Sequence, residues 1–319
     1  MREASLSRRT MRSDESPNPL LAVACDRVLR RFGSGGELSG AVFNKVMTLL
    51  NRRLLESRVE QRLDIHLPHC WYLFGDEVVP RELPPGVRFE PAEAAVTRTT
   101  FRVNPELPRP EYGNTWQSSR ISDEIRQIEG EFGNPVDLSS LVEEVYDGAP
   151  YPMQRAFLDL RRRLRFRDEL WRLDNPIEGV LRPLFNEAAS TFPGTEFHML
   201  KQLHARYRRL GRFALDQGAP AVDNFNSITS EYWQAFCYFL RIDDRGHFNV
   251  SKGRIAYWRR VAPDYLASAG PRLNVYAEEL VSTFASTIDP LDRAVLVGTD
   301  WGVRTSSDKG GEIDSATNS

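Results

Sequence analysis

The chain has 319 residues, 41% hydrophobic and 27% charged, the make-up of an ordinary globular protein with room for two domains. No run approaches the roughly 18 apolar residues of a membrane-spanning helix, and no apolar core follows the charged, Ser-rich start, so no membrane partner and a cytoplasmic location are expected. The net charge is only −2, but of 42 basic residues 4 are Lys and 38 are Arg, whose planar forks suit phosphates and carboxylates better than ammonium groups do.

Residues 1–17 read as a disordered arm. Asn18-Pro19 predicts a helix start, an N-cap followed by Pro at the first helical position, and Gly33 its stop. Val42, Phe43, Val46, Leu49, Leu50 and Leu54 recur at helical spacing and predict a helix near 40–55. Ser57 and Glu60 have capping-box spacing and predict a short third helix. HLPHCWYLF, the Gly75-Asp76-Glu77 turn and VVPREL then predict two strands of a hairpin, with further strands at Val87–Phe89 and Ala95–Val103.

Helices followed by a hairpin within about 90 residues form the order of a winged-helix module, expected over 18–103. Trp71-Tyr72-Leu73-Phe74-Gly75, followed by Val78-Val79, resembles the aromatic-x-aromatic-Gly hairpin of phage-associated, antitoxin-like helical proteins. Asp76 stands where those proteins usually carry Pro. The resemblance implies a DNA-associated protein in a regulatory, mobile-element or defence setting.

Pro105, Pro108 and Pro110 place a linker at 104–115, because Pro breaks helices and stiffens connections. A helical domain over 116–302 follows. Its expected helices begin with one marked by Ile121, Ile125, Ile128 and Phe132, one by Leu138, Leu141, Val142 and Val145, and one opening at Pro152 with Met153, Phe157, Leu160 and Leu164. Later ones fall at 177–191, 196–216, 229–241, 252–260, 272–287 and 290–297, with Gly218 and Gly270-Pro271 read as joins. The tail 303–319 lacks an apolar pattern and reads as disordered. The fold class is therefore mainly α (α+β): a winged-helix-like N-terminal region with a β-hairpin, then a multi-helix C-terminal domain.

No P-loop, dinucleotide fingerprint, nucleophile elbow or HExxH occurs, and no cofactor is expected. Gly33-Ser34-Gly35-Gly36 reads as a helix end and loop. Cys25, Cys70 and Cys237 are too sparse for a disulfide framework and read as buried small hydrophobes. His66, His69 and Cys70 have metal-ligand chemistry, but lack a second Cys/His pair at finger-like spacing, so no metal is expected. Asp243-Asp244-Arg245-Gly246 reads as a turn, with Gly supplying positive φ, and Glu278-Glu279 as a solvated helix face.

Arg241 and His247 fit the Arg-x(4–6)-His spacing of helical HEPN-type ribonucleases, as do Arg62 and His69. In an Arg-rich chain such spacing arises readily. It implies an alternative reading in which Arg241 and His247 serve a scissile phosphate. The leading reading is a non-enzymatic nucleic-acid-associated protein acting through basic helices. Arg161, Arg162, Arg163, Arg165, Arg167 and Arg172 fall on one helix, Lys201, Arg206, Arg208, Arg209 and Arg212 on a second, and Arg254, Arg259 and Arg260 on a third beside Tyr257 and Trp258. The other alternative is a protein-only scaffold whose Arg helices meet an acidic partner. Residues 104–148 hold ten acids against three Arg, and could themselves pair with the basic helices.

Overall fold

The computed structural model describes residues 18–91, 99–110, 113, 115–165, 177–286, 288, 289, 293 and 296. The N-terminal arm, the tail, Arg167, Arg172 and most of the helix expected at 290–297 lie outside them. The protein is mainly α-helical, with two small antiparallel sheets. Among the described residues no helix is long and apolar enough to cross a membrane. Contacts divide the chain into one unit of Met1–Gly148 with His247–Lys252 and another of Ala149–Gly246 with Gly253–Ser319.

In the first unit, α1 (Pro19–Phe32) opens where the Asn18 side chain accepts from the Leu20 N–H at 3.0 Å, and closes at Gly33. A Cβ on Gly33 would lie 2.5 Å from the Glu37 carbonyl oxygen, so the close approach itself requires glycine. After β1 (Glu37–Ser39), Ser39 caps α2 (Gly40–Glu56). Ser57 does not open a third helix. Its hydroxyl donates back to the Arg53 carbonyl at 2.8 Å and ends α2, leaving only a 3-10 turn at Val59–Gln61.

The predicted hairpin is present as β2 (His69–Tyr72) and β3 (Gly75–Val78), but its turn is Leu73-Phe74. Gly75, with φ 96°, already pairs with Tyr72, and Asp76 and Glu77, expected in the turn, are strand residues paired with Trp71 and Cys70. β4 (Val87–Glu90) and β5 (Thr100–Val103) form a second hairpin, and β1 adds to it in the order β1-β5-β4. Phe43 stacks on Phe101 at 4.2 Å and joins α2 to that sheet.

α3 (Trp116–Phe132) and α4 (Leu138–Asp147), capped by Thr115 and Asp137, belong to this unit, so by contacts the division falls at Gly148, past the Pro-rich segment at 104–115. Packing is the reason. Ile121, Ile125 and Ile128 of α3 are buried, as are Leu141 and Val145 of α4. Arg31 pairs with Glu129, Arg53 with Glu131 at 2.6 Å and Arg52 with Glu144 at 2.8 Å. These acids of 104–148 are thus taken by arginines of α1 and α2.

The second unit holds α5 (Pro152–Arg165), α6 (Ile177–Ser190), α7 (Lys201–Asp216), α8 (Val222–Leu240) and α9 (Lys252–Thr283), of which Lys252 falls in the first unit. α8 is its centre: Trp233 stacks on Phe157 at 4.2 Å and Tyr232 on Tyr207 at 4.1 Å. α8 begins at Val222, seven residues before the predicted start at 229.

The helices expected at 252–260 and 272–287 are one element. α9 runs through Pro263 and through Gly270-Pro271, which is therefore not a join. An interior Pro bends a helix without ending it when packing carries the chain across. Here Trp258, Ala262, Ala269, Leu273, Ala277 and Leu280 are buried, while both prolines are exposed. α9 runs antiparallel to α8, so that Trp258 meets Arg241, Tyr265 meets Tyr238 and Arg272 meets Glu231.

Between Cys70 and Trp258 in sequence lies one strand that the pattern does not reveal. β6 (His247–Phe248) pairs with β2 and completes the first unit's second sheet, in the order β3-β2-β6.

Candidate functional site

The helical period sorts α7 into two faces. Leu203, His204, Arg206, Tyr207, Leu210, Gly211, Ala214 and Leu215 are buried; Lys201, Gln202, Ala205, Arg208, Arg209 and Arg212 are exposed. Gly211 fits because a Cβ there would lie 2.5 Å from the Phe185 ring of α6. Arg206 is a correction to the sequence reading. It is 3% exposed and donates to the Leu296 carbonyl at 3.1 Å, because position 206 shares the stripe of 203, 207 and 210. Arg206 is a core residue and is not part of the outward basic face.

The four outward cations of α7, Lys201, Arg208, Arg209 and Arg212, make no ion pair or side-chain hydrogen bond among the described residues. Their charge is felt inside the unit. Burial pushes the His204 imidazole down to about 4, and the Arg208 charge acts in the same direction. Burial lowers the Arg206 guanidinium as well, with Arg209 adding to it. An uncompensated like-signed stripe of this kind attracts polyanions.

On α5, Arg163 and Arg165 are exposed and make no ion pair among the described residues, whereas Arg161 and Arg162 are half-buried and engaged. On α9, Arg254 is half-buried and engaged, Arg259 lies 3.4 Å from Asp244, and the Arg260 guanidinium sits over the Tyr257 ring at 5.6 Å. The basic helices are therefore not equivalent, and among the described residues α7 carries the largest uncompensated set.

Arg241 and His247 are each committed to local structure. Arg241 caps α8, its guanidinium 4.2 Å from the Tyr238 ring centroid and 5.0 Å from that of Trp258. His247 opens β6 opposite Cys70 and falls in the first unit, while Arg241 falls in the second. Between them, Gly246 closes a turn from Asp243. Its φ is not positive; glycine is required because a Cβ would lie 1.7 Å from the Leu240 carbonyl oxygen.

His66 and His69 do not converge. His66 is exposed beside Asp64, while the buried His69 places Nδ1 2.7 Å from Asp76 Oδ1 and stacks on Phe248. Among the described residues no group of three or more His, Cys, Asp and Glu is placed to hold a metal ion.

Two polar clusters escape the sequence reading. Under the β2–β3 hairpin, the buried Lys45 of α2 donates to the Asp76 carbonyl at 2.7 Å, and Asn51 Nδ2 lies 3.4 Å from His69 Nε2. Burial lowers the Lys45 ammonium, opposed by Glu77 and Asp76. In the second unit Tyr151 donates to Asp243 at 2.8 Å, and Arg245 donates to the Tyr151 oxygen at 2.9 Å and to Glu196 at 2.7 Å. Burial and the Asp243 carboxylate raise the Tyr151 phenol well above its ordinary value. The first cluster ties β3 to α2 and leaves the buried Asn51 Oδ1 without a hydrogen-bond partner among the described residues, and the second ties the Asp243 turn to Tyr151 at the head of α5. Lys45 is one of only four Lys and sits in an apolar stripe, a signal that could have flagged it.

Comparisons with protein-family models, with curated proteins and with solved structures returned no significant match.

Proposed function

We propose that the protein binds nucleic acid through phosphate contacts made by the outward face of α7. The observation that carries this reading is the set Lys201, Arg208, Arg209 and Arg212: exposed, without ion pairs among the described residues, on a helix with no acid before Asp216. At 1.5 Å per residue they span roughly 16 Å, long enough to meet several phosphates of one backbone. The face presents no exposed aromatic ring, so its contacts are electrostatic and insensitive to base sequence. Arg163 and Arg165 of α5 add to the positive field of the same unit.

The winged-helix-like reading of 18–103 and the antitoxin-like resemblance of 68–79 belong to this proposal as the source of a second, duplex-directed contact. Binding of the purified chain to labelled duplex DNA, single-stranded DNA and RNA, titrated with salt and checked for strand cleavage, tests it. Neutralising all four α7 cations with Ala should flatten the slope of log K against log salt by about 3–4 on duplex DNA. Salt-insensitive binding, or none, would remove the nucleic-acid reading and leave an acidic protein partner for the same face.

A further inference from the structure

The first unit carries an open cleft of about 650 Å³ along α3, whose lining includes Gln61, Trp116, Arg120, Asp123, Arg126 and Gln127. That volume lies inside the roughly 300–1,000 Å³ range of small-molecule sites. The spacing 116, 120, 123, 127 puts these α3 side chains on one helical face. Trp116 is 56% exposed, whereas the other described tryptophans, Trp71, Trp233 and Trp258, are buried in the core. An indole left in water costs hydrophobic free energy that burial elsewhere would recover.

The groups around the indole are hydrogen-bond donors and acceptors. Arg120 is held by the Ser57 hydroxyl at 2.8 Å and by Glu124 at 2.8 Å, and its buried Nε has no hydrogen-bond partner among the described residues. Arg126 is 67% exposed and pairs with Asp123 through one nitrogen, which leaves the rest of its fork to solvent. Gln61 and Gln127 add amides to the rim.

We infer that this cleft binds a nucleotide unit, with its base stacked on Trp116 and its phosphate on Arg126. The lining decides between ligand classes. An apolar ligand would strip water from Arg126 and Asp123 without replacing their hydrogen bonds. An inorganic anion would make no use of the indole. A nucleotide uses all of it: a π-face for Trp116, an anion for Arg126, and base N–H or ribose hydroxyl groups for Asp123 and the glutamines. The site lies on the first unit and does not depend on the α7 face, because a mononucleotide lacks the repeated charge which that face would need.

Calorimetric titration of the full chain with AMP and with a six-nucleotide single-stranded oligonucleotide tests the inference. Wild type binds at least one of them, Trp116→Phe keeps the affinity within a few-fold because a stacking ring remains, and Trp116→Ala weakens it about tenfold or more. Arg126→Ala weakens it as well. If both ligands depend on Trp116, a free nucleotide suffices; if the oligonucleotide alone does, the nucleotide is read within a strand. Because Trp116 is exposed, Trp116→Ala keeps its fold, which circular dichroism verifies. No binding of either ligand, or equal binding by Trp116→Ala, overturns the inference. Oligonucleotide binding that ignores Trp116 but falls with the α7 substitutions would overturn it while leaving the α7 reading standing.

Discussion

His204 Nδ1 lies 2.8 Å from the Tyr232 hydroxyl, and the opposite ring nitrogen lies 3.0 Å from the Ala189 carbonyl oxygen. The carbonyl can only accept, so Nε2 carries a proton. Burial keeps the ring neutral, so Nδ1 accepts from Tyr232, in an aromatic stack with Phe192 at 4.1 Å.

The pH dependence follows from that pairing. Burial holds His204 down at about 4, while the unfolded chain takes up its proton near 6.5. A depressed pKa makes this stabilisation complete above 6.5 and progressively lost as the pH falls from 6.5 to 4. The loss is at most about 3 kcal/mol. In urea denaturation at pH 7 and pH 4, wild type should lose up to this amount relative to His204→Gln. An unchanged difference would mean that the ring is solvated. Tyr232→Phe leaves Nδ1 buried without a donor and should cost about 1–3 kcal/mol at pH 7.

Asp76 and Lys45 give an asymmetric pair of substitutions. Asp76→Ala leaves buried His69 without its acceptor and Lys45 beside one fewer acid, a loss of about 3 kcal/mol or more. Lys45→Met keeps the stem that fills the site and removes the cation, and should cost clearly less. Equilibrium unfolding of both variants checks the order, and equal losses would show that the Lys45 charge itself is needed.

The helical glycines separate close approach from flexibility. A Cβ at Gly211 meets the Phe185 ring at 2.5 Å, so Gly211→Ala must push α6 and α7 apart, at about 1–3 kcal/mol. Gly130, inside α3, has nothing within 4 Å of an added Cβ. Gly130→Ala should raise stability by roughly 0.5–1 kcal/mol through helix propensity alone. Opposite shifts in thermal midpoint are the expected result.

Much of this architecture is legible in the chain because local chemistry decides it. The Asn18 cap, the apolar stripe of α2 and the β2–β3 hairpin, its turn two residues earlier than expected, need only neighbouring residues. What escapes the sequence is decided at a distance. β6 exists because Cys70 pairs with His247, and α9 survives two prolines because α8 packs along it. The outer face of α7 was legible as charge and only partly as geometry. Counting Arg206 with its neighbours ignored the spacing 203, 206, 207 and 210, which assigns it to the core. The Trp116 cleft carries no sequence signal, since a tryptophan at the head of an amphipathic helix reads as core.

That distinction between neighbouring arginines yields the last prediction. Arg206 and Arg208 are two residues apart, yet one is 3% exposed and the other lies in solvent. Arg206→Ala removes a buried side chain and the donor to the Leu296 carbonyl, so stability should fall by about 2–4 kcal/mol. Its effect on nucleic-acid affinity, measured well below the unfolding transition, should be slight. Arg208→Ala should leave stability within about 0.5 kcal/mol of wild type and flatten the salt dependence of binding by about one contact. A small part of its effect runs inward: without the Arg208 charge, His204 should titrate at a slightly higher pH, which NMR of the imidazole would register. If Arg206→Ala weakened binding while Arg208→Ala did not, the contact face of α7 would be the opposite one.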